Sequence, residues 1–257
     1  MYVYRLVLSI ASFSFLVACN QPQNDSFVSH ISDKNVRSIL KNAIETAGGW
    51  ESYNAIDSIV YVKRSVLYEE DGTVESDVTQ THRYQLSPNI IGEITWEDSL
   101  GAHLIHYDGS QSYKSIDGRN VPNSTEQAQS SFMSAYYVLF IPFKLLDDGV
   151  QLSYLGQENL ESGELCDVIK ATYSPSEHEN HSTADEWYYY FEKDTGRYMA
   201  SMVYHAPTYA YITNDSTTQE SNFVFNTYRK SYRVDQDRNI QFLRGEFWYS
   251  DYTLIEN

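Results

Sequence analysis

The chain is poor in basic residues, in cysteine and in long apolar segments. Its 257 residues include 18 Lys or Arg against 35 Asp or Glu, a formal net charge of −17. This balance argues against binding to nucleic-acid phosphates and against electrostatic docking on anionic lipid head groups. No segment after residue 18 is long and apolar enough to span a membrane. Any membrane attachment must therefore come from a hydrophobic group.

The chain also lacks the residue patterns of common catalytic sites. It contains no nucleophile elbow, Cys/His pair, HExxH motif, P-loop or dinucleotide fingerprint. His178, Glu179 and His181 lie in a polar segment where no helix or strand fixes their geometry, so we predict no metal site. The sequence thus predicts no catalytic residue, no cofactor and no enzymatic activity. Its Tyr, Trp and acid content leaves a glycan-active envelope hydrolase as a lesser alternative.

The amino terminus has the layout of an export signal. Arg5 precedes an apolar run, Leu6 to Val17, that is too short to span a membrane. The run leads into "LVAC", which resembles the lipobox of bacterial lipoproteins. That resemblance implies cleavage before Cys19 and lipidation of its thiol, and two or three acyl chains anchor a protein stably. The expected division is a signal peptide over 1–18, a flexible tether over 19–32 and a single domain over 33–257.

The few cysteines also bear on location and on disulfides. If Cys19 is lipidated, Cys166 has no partner, so we expect no intrachain disulfide and a small buried thiol. Asn20 follows the lipidated cysteine, and in enteric-type sorting this favours the outer membrane. We therefore expect a monomer held in the cell envelope through its lipid anchor, with the face of the membrane undetermined.

Two segments have helical periodicity. Between Asp33 and Ala47, apolar residues recur three and four positions apart, with Gly48-Gly49 closing the segment. A second apolar stripe predicts a helix over about 125–140, which Pro142 ends. Ser124 and Gln127 resemble a capping box at its start.

The remainder alternates between strands and turns. Asp-Gly pairs mark hairpins in the first half, and strands recur without crossover helices, which predicts an antiparallel meander of ten or so strands. A sheet of that width usually curls. We expect long polar loops over 174–185 and 206–221. The predicted fold is α+β and mostly β: a large half-open β-barrel with two or so helices packed against its concave face.

Three segments carry a resemblance to a known family: "AGGWESY", "YYVLFIPFKLLDDG" and "DEWYYYFEKDTGR". Over roughly residues 36–255 the chain resembles a family of Gram-negative envelope lipoproteins of unknown function with the LolA/LolB-like fold of lipoprotein carriers. The resemblance implies an unclosed barrel around an apolar cavity, which in true carriers receives acyl chains. The expected function is to bind or carry an acyl chain, a lipid or a lipidated protein. The alternative is a structural or interaction lipoprotein with a packed interior and no ligand.

Candidate ligand-binding residues come from strand and helix faces. Arg64 interrupts an apolar register that includes Val62 and Val66, so it points to the core if the register holds. The alternative for Arg64 is an outward position or a structural ion pair. Aromatic residues share faces of the predicted elements and could line a cavity or simply form the interface between helix and sheet. The candidates are Arg64, Trp96, Phe132, Tyr136, Phe140, Trp187 and Tyr189.

Overall fold

The computed structural model describes residues 25–174, 185–205 and 208–257. The helices in these ranges are α1 (Lys34–Ala47), α2 (Trp50–Ala55) and α3 (Thr125–Leu139), with 3₁₀ turns at Asp25–Val28 and Phe143–Leu146. The strands are β1 (Ile56–Tyr68), β2 (Val74–Gln85), β3 (Ile91–Asp98), β4 (Gly101–Tyr107), β5 (Ser112–Ile116), β6 (Arg119–Asn120), β7 (Val150–Asn159), β8 (Leu165–Tyr173), β9 (Glu186–Glu192), β10 (Tyr198–His205), β11 (Thr208–Glu220), β12 (Phe223–Val234) and β13 (Ile240–Glu256).

The described strands form one antiparallel sheet. Its order is β6-β5-β4-β3-β2-β1-β13-β12-β11-β10-β9-β8-β7, so the first and last strands of the chain pair at the centre. The two sheet edges, β6 and β7, are not paired with each other, and α3 lies in the connection between them. The predicted class is confirmed: an α+β fold, mostly β, with an open sheet that forms a half-open barrel around its helices.

The first predicted helix is confirmed as α1. Asp33 caps it, because its carboxylate accepts hydrogen bonds from the backbone N–H groups of Asn35 (2.8 Å) and Val36 (3.3 Å). Gly48 ends the helix at a φ of 133°. A Cβ atom at that position would lie 2.8 Å from the carbonyl oxygen of Asn222, so the close approach of β12 requires glycine there. The short helix α2, which follows directly, was not predicted.

The second predicted helix is confirmed as α3, but the predicted capping box at its start is wrong. The Ser124 hydroxyl donates to the Val121 carbonyl (2.7 Å) and accepts from the Lys114 amide (3.2 Å). It makes no capping bond to α3. The side chain of Ser124 therefore fixes the loop before the helix against β5. Among the described residues, no helix is long and apolar enough to cross a membrane.

The predicted polar loop over 206–221 is also wrong. Residues 208–220 form β11, which pairs with β10 and with β12. The segment lacks apolar alternation because its distal half, around Thr217 and Gln219, is largely exposed and offers little apolar surface to bury. Register shifts near Ser216 further break the pattern. Of the other predicted loop, residues 175–184 lie outside the described ranges.

Two apolar clusters hold the helices against the sheet. In one, Phe132 and Tyr136 of α3 pack on Tyr84 and its neighbours in β1–β4, β12 and β13. In the other, Leu40 of α1 packs with Tyr189 of β9 and its neighbours in β7–β10. One face of α3 packs against the curved sheet. The opposite face of the helix borders the cavity described next.

Candidate functional site

A cavity of about 480 Å³ lies between α3 and the inner face of the sheet. One side of α3 forms its helical wall, through residues spaced three or four apart, as one helix face requires. These residues are Gln127, Ser131, Ser134 and Val138, and the small side chains of Ala128 and Ala135 beside them also line the cavity. They are short or polar, whereas the buried side of the same helix carries Phe132 and Tyr136. The helix therefore presents its bulky face to the core and its small face to the cavity.

The sheet supplies the opposite wall from alternate positions on neighbouring strands. Side chains two residues apart on a strand share a face, which places pairs of cavity residues on each strand. These pairs are Tyr61 and Lys63 on β1, Gln80 and His82 on β2, Ile94 and Trp96 on β3, Phe247 and Tyr249 on β13, and Arg229 and Ser231 on β12.

Stacked rings form the floor of the cavity around Tyr61, which is buried. Its ring lies 4.6 Å from that of His82 and 6.1 Å from that of Tyr249, centre to centre. His82 is only 1 % exposed, and its Nδ1 lies 3.3 Å from the hydroxyl of Tyr84. Burial, with the nearby charge of Lys63, lowers the pKa of His82 well below its usual range, so the imidazole is neutral at pH 7.

The cavity wall is basic although the chain is strongly acidic. Lys63, Lys114 and Arg229 line it, and among the described residues that line it there is no Asp or Glu. Arg229 is buried, with 5 % of its surface exposed. Its Nε donates to Asn214 Oδ1 at 2.7 Å, and its Nη1 lies 3.5 Å from the hydroxyl of Tyr249.

Tyr249 lies between two of these cations. The Nζ of Lys63, on the neighbouring strand β1, lies 5.9 Å from the centre of the Tyr249 ring. Arg229 lies on β12, the strand on the other side of β13. Burial raises the pKa of Tyr249, but the charges of Lys63 and Arg229 outweigh burial and leave the pKa below its ordinary value. The centre of this wall therefore has a positive potential.

Apart from Arg64, the candidate ligand-binding residues lie in three environments: the cavity lining, the first apolar cluster and the second apolar cluster. Trp96 and Trp187 line the cavity. Phe132, Tyr136 and Phe140 lie on the buried side of α3 and after its end, and Tyr189 is fully buried in the second cluster. These last four form the packing that holds the helices in place, the interface alternative considered above.

Arg64 does not line the cavity, so the outward alternative given above describes its position. Tyr61 and Lys63 face inward, which places Arg64 on the outer face of β1. There its Nε and Nη2 donate to the two carboxylate oxygens of Asp77, at 2.9 Å and 2.6 Å, and its guanidinium stacks on Trp248. The side chain is half exposed, so the ion-pair alternative describes it.

Sequence reasoning missed the polar residues of the wall, above all Lys63, His82 and Arg229. A signal existed in the alternation "YVK" on β1 and "QTHRY" on β2, whose aromatic and polar residues share one face. In the part of the chain that the structure describes, no group of three or more His, Cys, Asp or Glu side chains is arranged to hold a metal ion. His178, Glu179 and His181 lie outside the described residues.

No protein-family model matches the chain, and no curated protein matches it by sequence. Solved structures match its fold. A LolA superfamily protein from Nitrosomonas europaea shares 12% identity, with a TM-score of 0.56, over 86% of this chain and 94% of that one. An outer membrane lipoprotein-sorting protein domain from Vibrio parahaemolyticus shares 9% identity, with a TM-score of 0.54, over 84% and 91%.

A DUF1329 family protein from Desulfovibrio piger is similar at 10% identity, with a TM-score of 0.54, over 85% of this chain and 92% of that one. At these identities the similarity establishes the fold and leaves function open. The chain has a LolA-like fold.

Proposed function

We propose that this protein is a non-enzymatic envelope lipoprotein that binds the acyl chain of a lipid or of a lipidated protein in the cavity beside α3. The observation that carries the proposal is the cavity itself. Its volume of about 480 Å³ falls within the roughly 300–1,000 Å³ typical of ligand sites. Aromatic and aliphatic side chains such as Tyr61, Ile94 and Phe247 supply the apolar surface that an acyl chain needs.

The driving force is burial of the chain. Each methylene group moved from water into an apolar site contributes about 0.8 kcal/mol, so several buried methylenes give useful affinity without a specific polar contact. The fold supports this role as well, since the described neighbours include a lipoprotein-sorting domain and a LolA superfamily protein.

The same proposal includes a lipid anchor at Cys19, which lies outside the described residues, followed by a tether that reaches the domain. It places the protein as a monomer at the outer membrane. Intact-mass analysis of membrane-purified protein tests the anchor: a lipidated Cys19 at the amino terminus supports it. An unmodified cysteine, or cleavage elsewhere, contradicts it.

Ligand binding is tested on the chain from Asn20 onward, exported to the periplasm and purified without detergent. Native mass spectrometry should show an added mass that disappears on solvent extraction and matches a lipid. Ser134→Phe places a ring in the cavity and should reduce that occupancy. Ser130→Phe is the matched control, because Ser130 is exposed one turn earlier on α3 and does not line the cavity.

A bare mass that stays bare after incubation with acyl lipids and lipopeptides contradicts the proposal. The packed clusters around Phe132 and Leu40 would then support the alternative of a structural or interaction lipoprotein that holds no ligand.

A further inference from the structure

The charges on the cavity wall are arranged differently from those on the outer face. On the outside, Arg64 pairs with Asp77 at 2.6 Å and Lys230 pairs with Asp215 at 2.9 Å. The adjacent inward residues, Lys63 and Arg229, have no carboxylate partner among the described residues. Each inward cation without a carboxylate partner is therefore next in sequence to an outward cation that has one.

An unpaired buried cation is costly. Removing a guanidinium from water without a counter-charge carries a large free-energy penalty, which neutral partners such as Asn214 and Tyr249 offset only in part. Arg229 is 5 % exposed, and among the residues that the structure describes its only hydrogen-bond partners are those two neutral groups. An acid group that entered the cavity would supply the missing charge.

A second observation concerns His82, which lines the cavity at 1 % exposure. Its Nε2 is buried and has no hydrogen-bond partner among the described residues. Gln80 lies two residues before it on the same face of β2, directly across from Lys63. In the tautomer whose Nδ1 accepts from the Tyr84 hydroxyl, Nε2 carries the proton, and an acidic ligand oxygen that accepts from it would satisfy this buried nitrogen.

We infer that the ligand of this cavity is an anionic amphiphile, whose acidic head group, a carboxylate or a phosphate, lies between Lys63 and Arg229 while its chain lies along the aromatic wall toward Trp96. This inference rests on the proposed function and adds the chemistry of the head group to it. Charge-assisted hydrogen bonds are roughly twice as strong as neutral ones, so the head group sets selectivity and the chain sets the base affinity.

The overall charge of −17 works against this selectivity, because it repels anions at long range. A preference for anions can therefore come only from the local wall. The lowered pKa of Tyr249, which the two cations flank, is consistent with such a wall.

The test uses the full chain, exchanged from detergent into an amphipathic polymer, and four probes built on a ten-carbon chain, in which the carboxyl carbon of decanoate counts as the tenth: decanoate, decyl phosphate, decanol and decyltrimethylammonium. Calorimetry or the fluorescence of Trp96 and Trp187 gives their affinities. We expect each anion to bind at least about tenfold more tightly than decanol, and the cation to bind most weakly of the four probes. The ratio of the two anions identifies carboxylate or phosphate as the better head group.

The variant Lys63→Gln should lose most of the preference for anions while binding decanol as before. Arg64→Gln is the matched control, since it removes the neighbouring charge on the outer face and should change nothing. Arg229→Gln tests in the same way whether the second cation contributes to the preference for anions. Arg229→Lys keeps the charge and is used if Arg229→Gln does not fold.

Equal affinity for decanol and decanoate, or an unchanged preference in Lys63→Gln, overturns the inference and leaves the proposed function standing. Absence of binding by all four probes overturns both. Inorganic phosphate that displaces decanoate at similar concentrations would define a site for free anions and also overturn the inference.

Discussion

Replacing Phe132 by alanine separates a core residue from a ligand-binding residue. Phe132 is fully buried, and its ring lies 4.7 Å from that of Tyr84 and 5.2 Å from that of Tyr107. A Phe→Ala change at a packed site costs about 3–5 kcal/mol of unfolding free energy. For a domain of this size each kcal/mol lowers Tm by about 2–4 °C, so we expect a fall of roughly 6–20 °C.

Calorimetry or thermal unfolding followed by circular dichroism measures this fall. Ser134→Ala is the control, because Ser134 lies on the exposed cavity side of the same helix and its replacement should change stability by less than about 0.5 kcal/mol. If Phe132→Ala melts like the wild type but alters ligand binding, Phe132 lines the site, and the placement of α3 against the sheet is wrong.

Three further predictions follow from buried polar groups. Because the pKa of His82 is lowered by burial and by Lys63, the unfolded state takes up the proton first below about pH 6.5. As the pH is lowered further, the unfolding free energy of the wild type should fall relative to that of His82→Gln by about 1.4 kcal/mol per pH unit, until the pKa of the folded state is reached. Urea titrations at several pH values measure this fall. Parallel curves of unfolding free energy against pH for the two proteins would contradict the prediction. Burial, followed by nearby carboxylates, raises the pKa of Cys166 to about 12, so thiol reagents should label it only after unfolding, and rapid labelling of native protein would place it at the surface. Asn214→Ala leaves the Nε of Arg229 buried without its acceptor and should cost about 1–3 kcal/mol in urea unfolding, whereas an unchanged midpoint would mean that water replaces the amide.

The sequence predicted those elements whose apolar pattern has a single interpretation. Helix α1 is one case, since its apolar stripe, the cap at Asp33 and the closing Gly48 all agree. Strand β11 is the opposite case. The distal half of β11 is mostly polar and exposed. The strand's pairing with β10 and β12 depends on backbone hydrogen bonds, which the pattern of side chains does not reveal.

The cavity wall could be predicted only in part, because β1 is apolar on both faces. Val60 and Val62 lie on one face, and Ile59 and Tyr61 on the other, so alternation alone does not say which face is inside. The choice of phase decides whether Arg64 or its neighbour Lys63 faces the cavity. Only the pairing with β13, which places Lys63 opposite Tyr249, resolves it.

The position of α3 bears on how a ligand enters. A helix that had to leave before the ligand could bind would have to break the packing of Phe132 and Tyr136, together with the hydrogen bond of 3.0 Å between the hydroxyls of Tyr136 and Tyr53. The cavity, however, already exists with the helix in place. Its helical wall consists of small residues such as Ser131 and Ser134, which are exposed and offer little resistance to an entering chain. A ligand of the proposed kind would therefore enter along the small face of α3 while the bulky face keeps the helix fixed to the sheet.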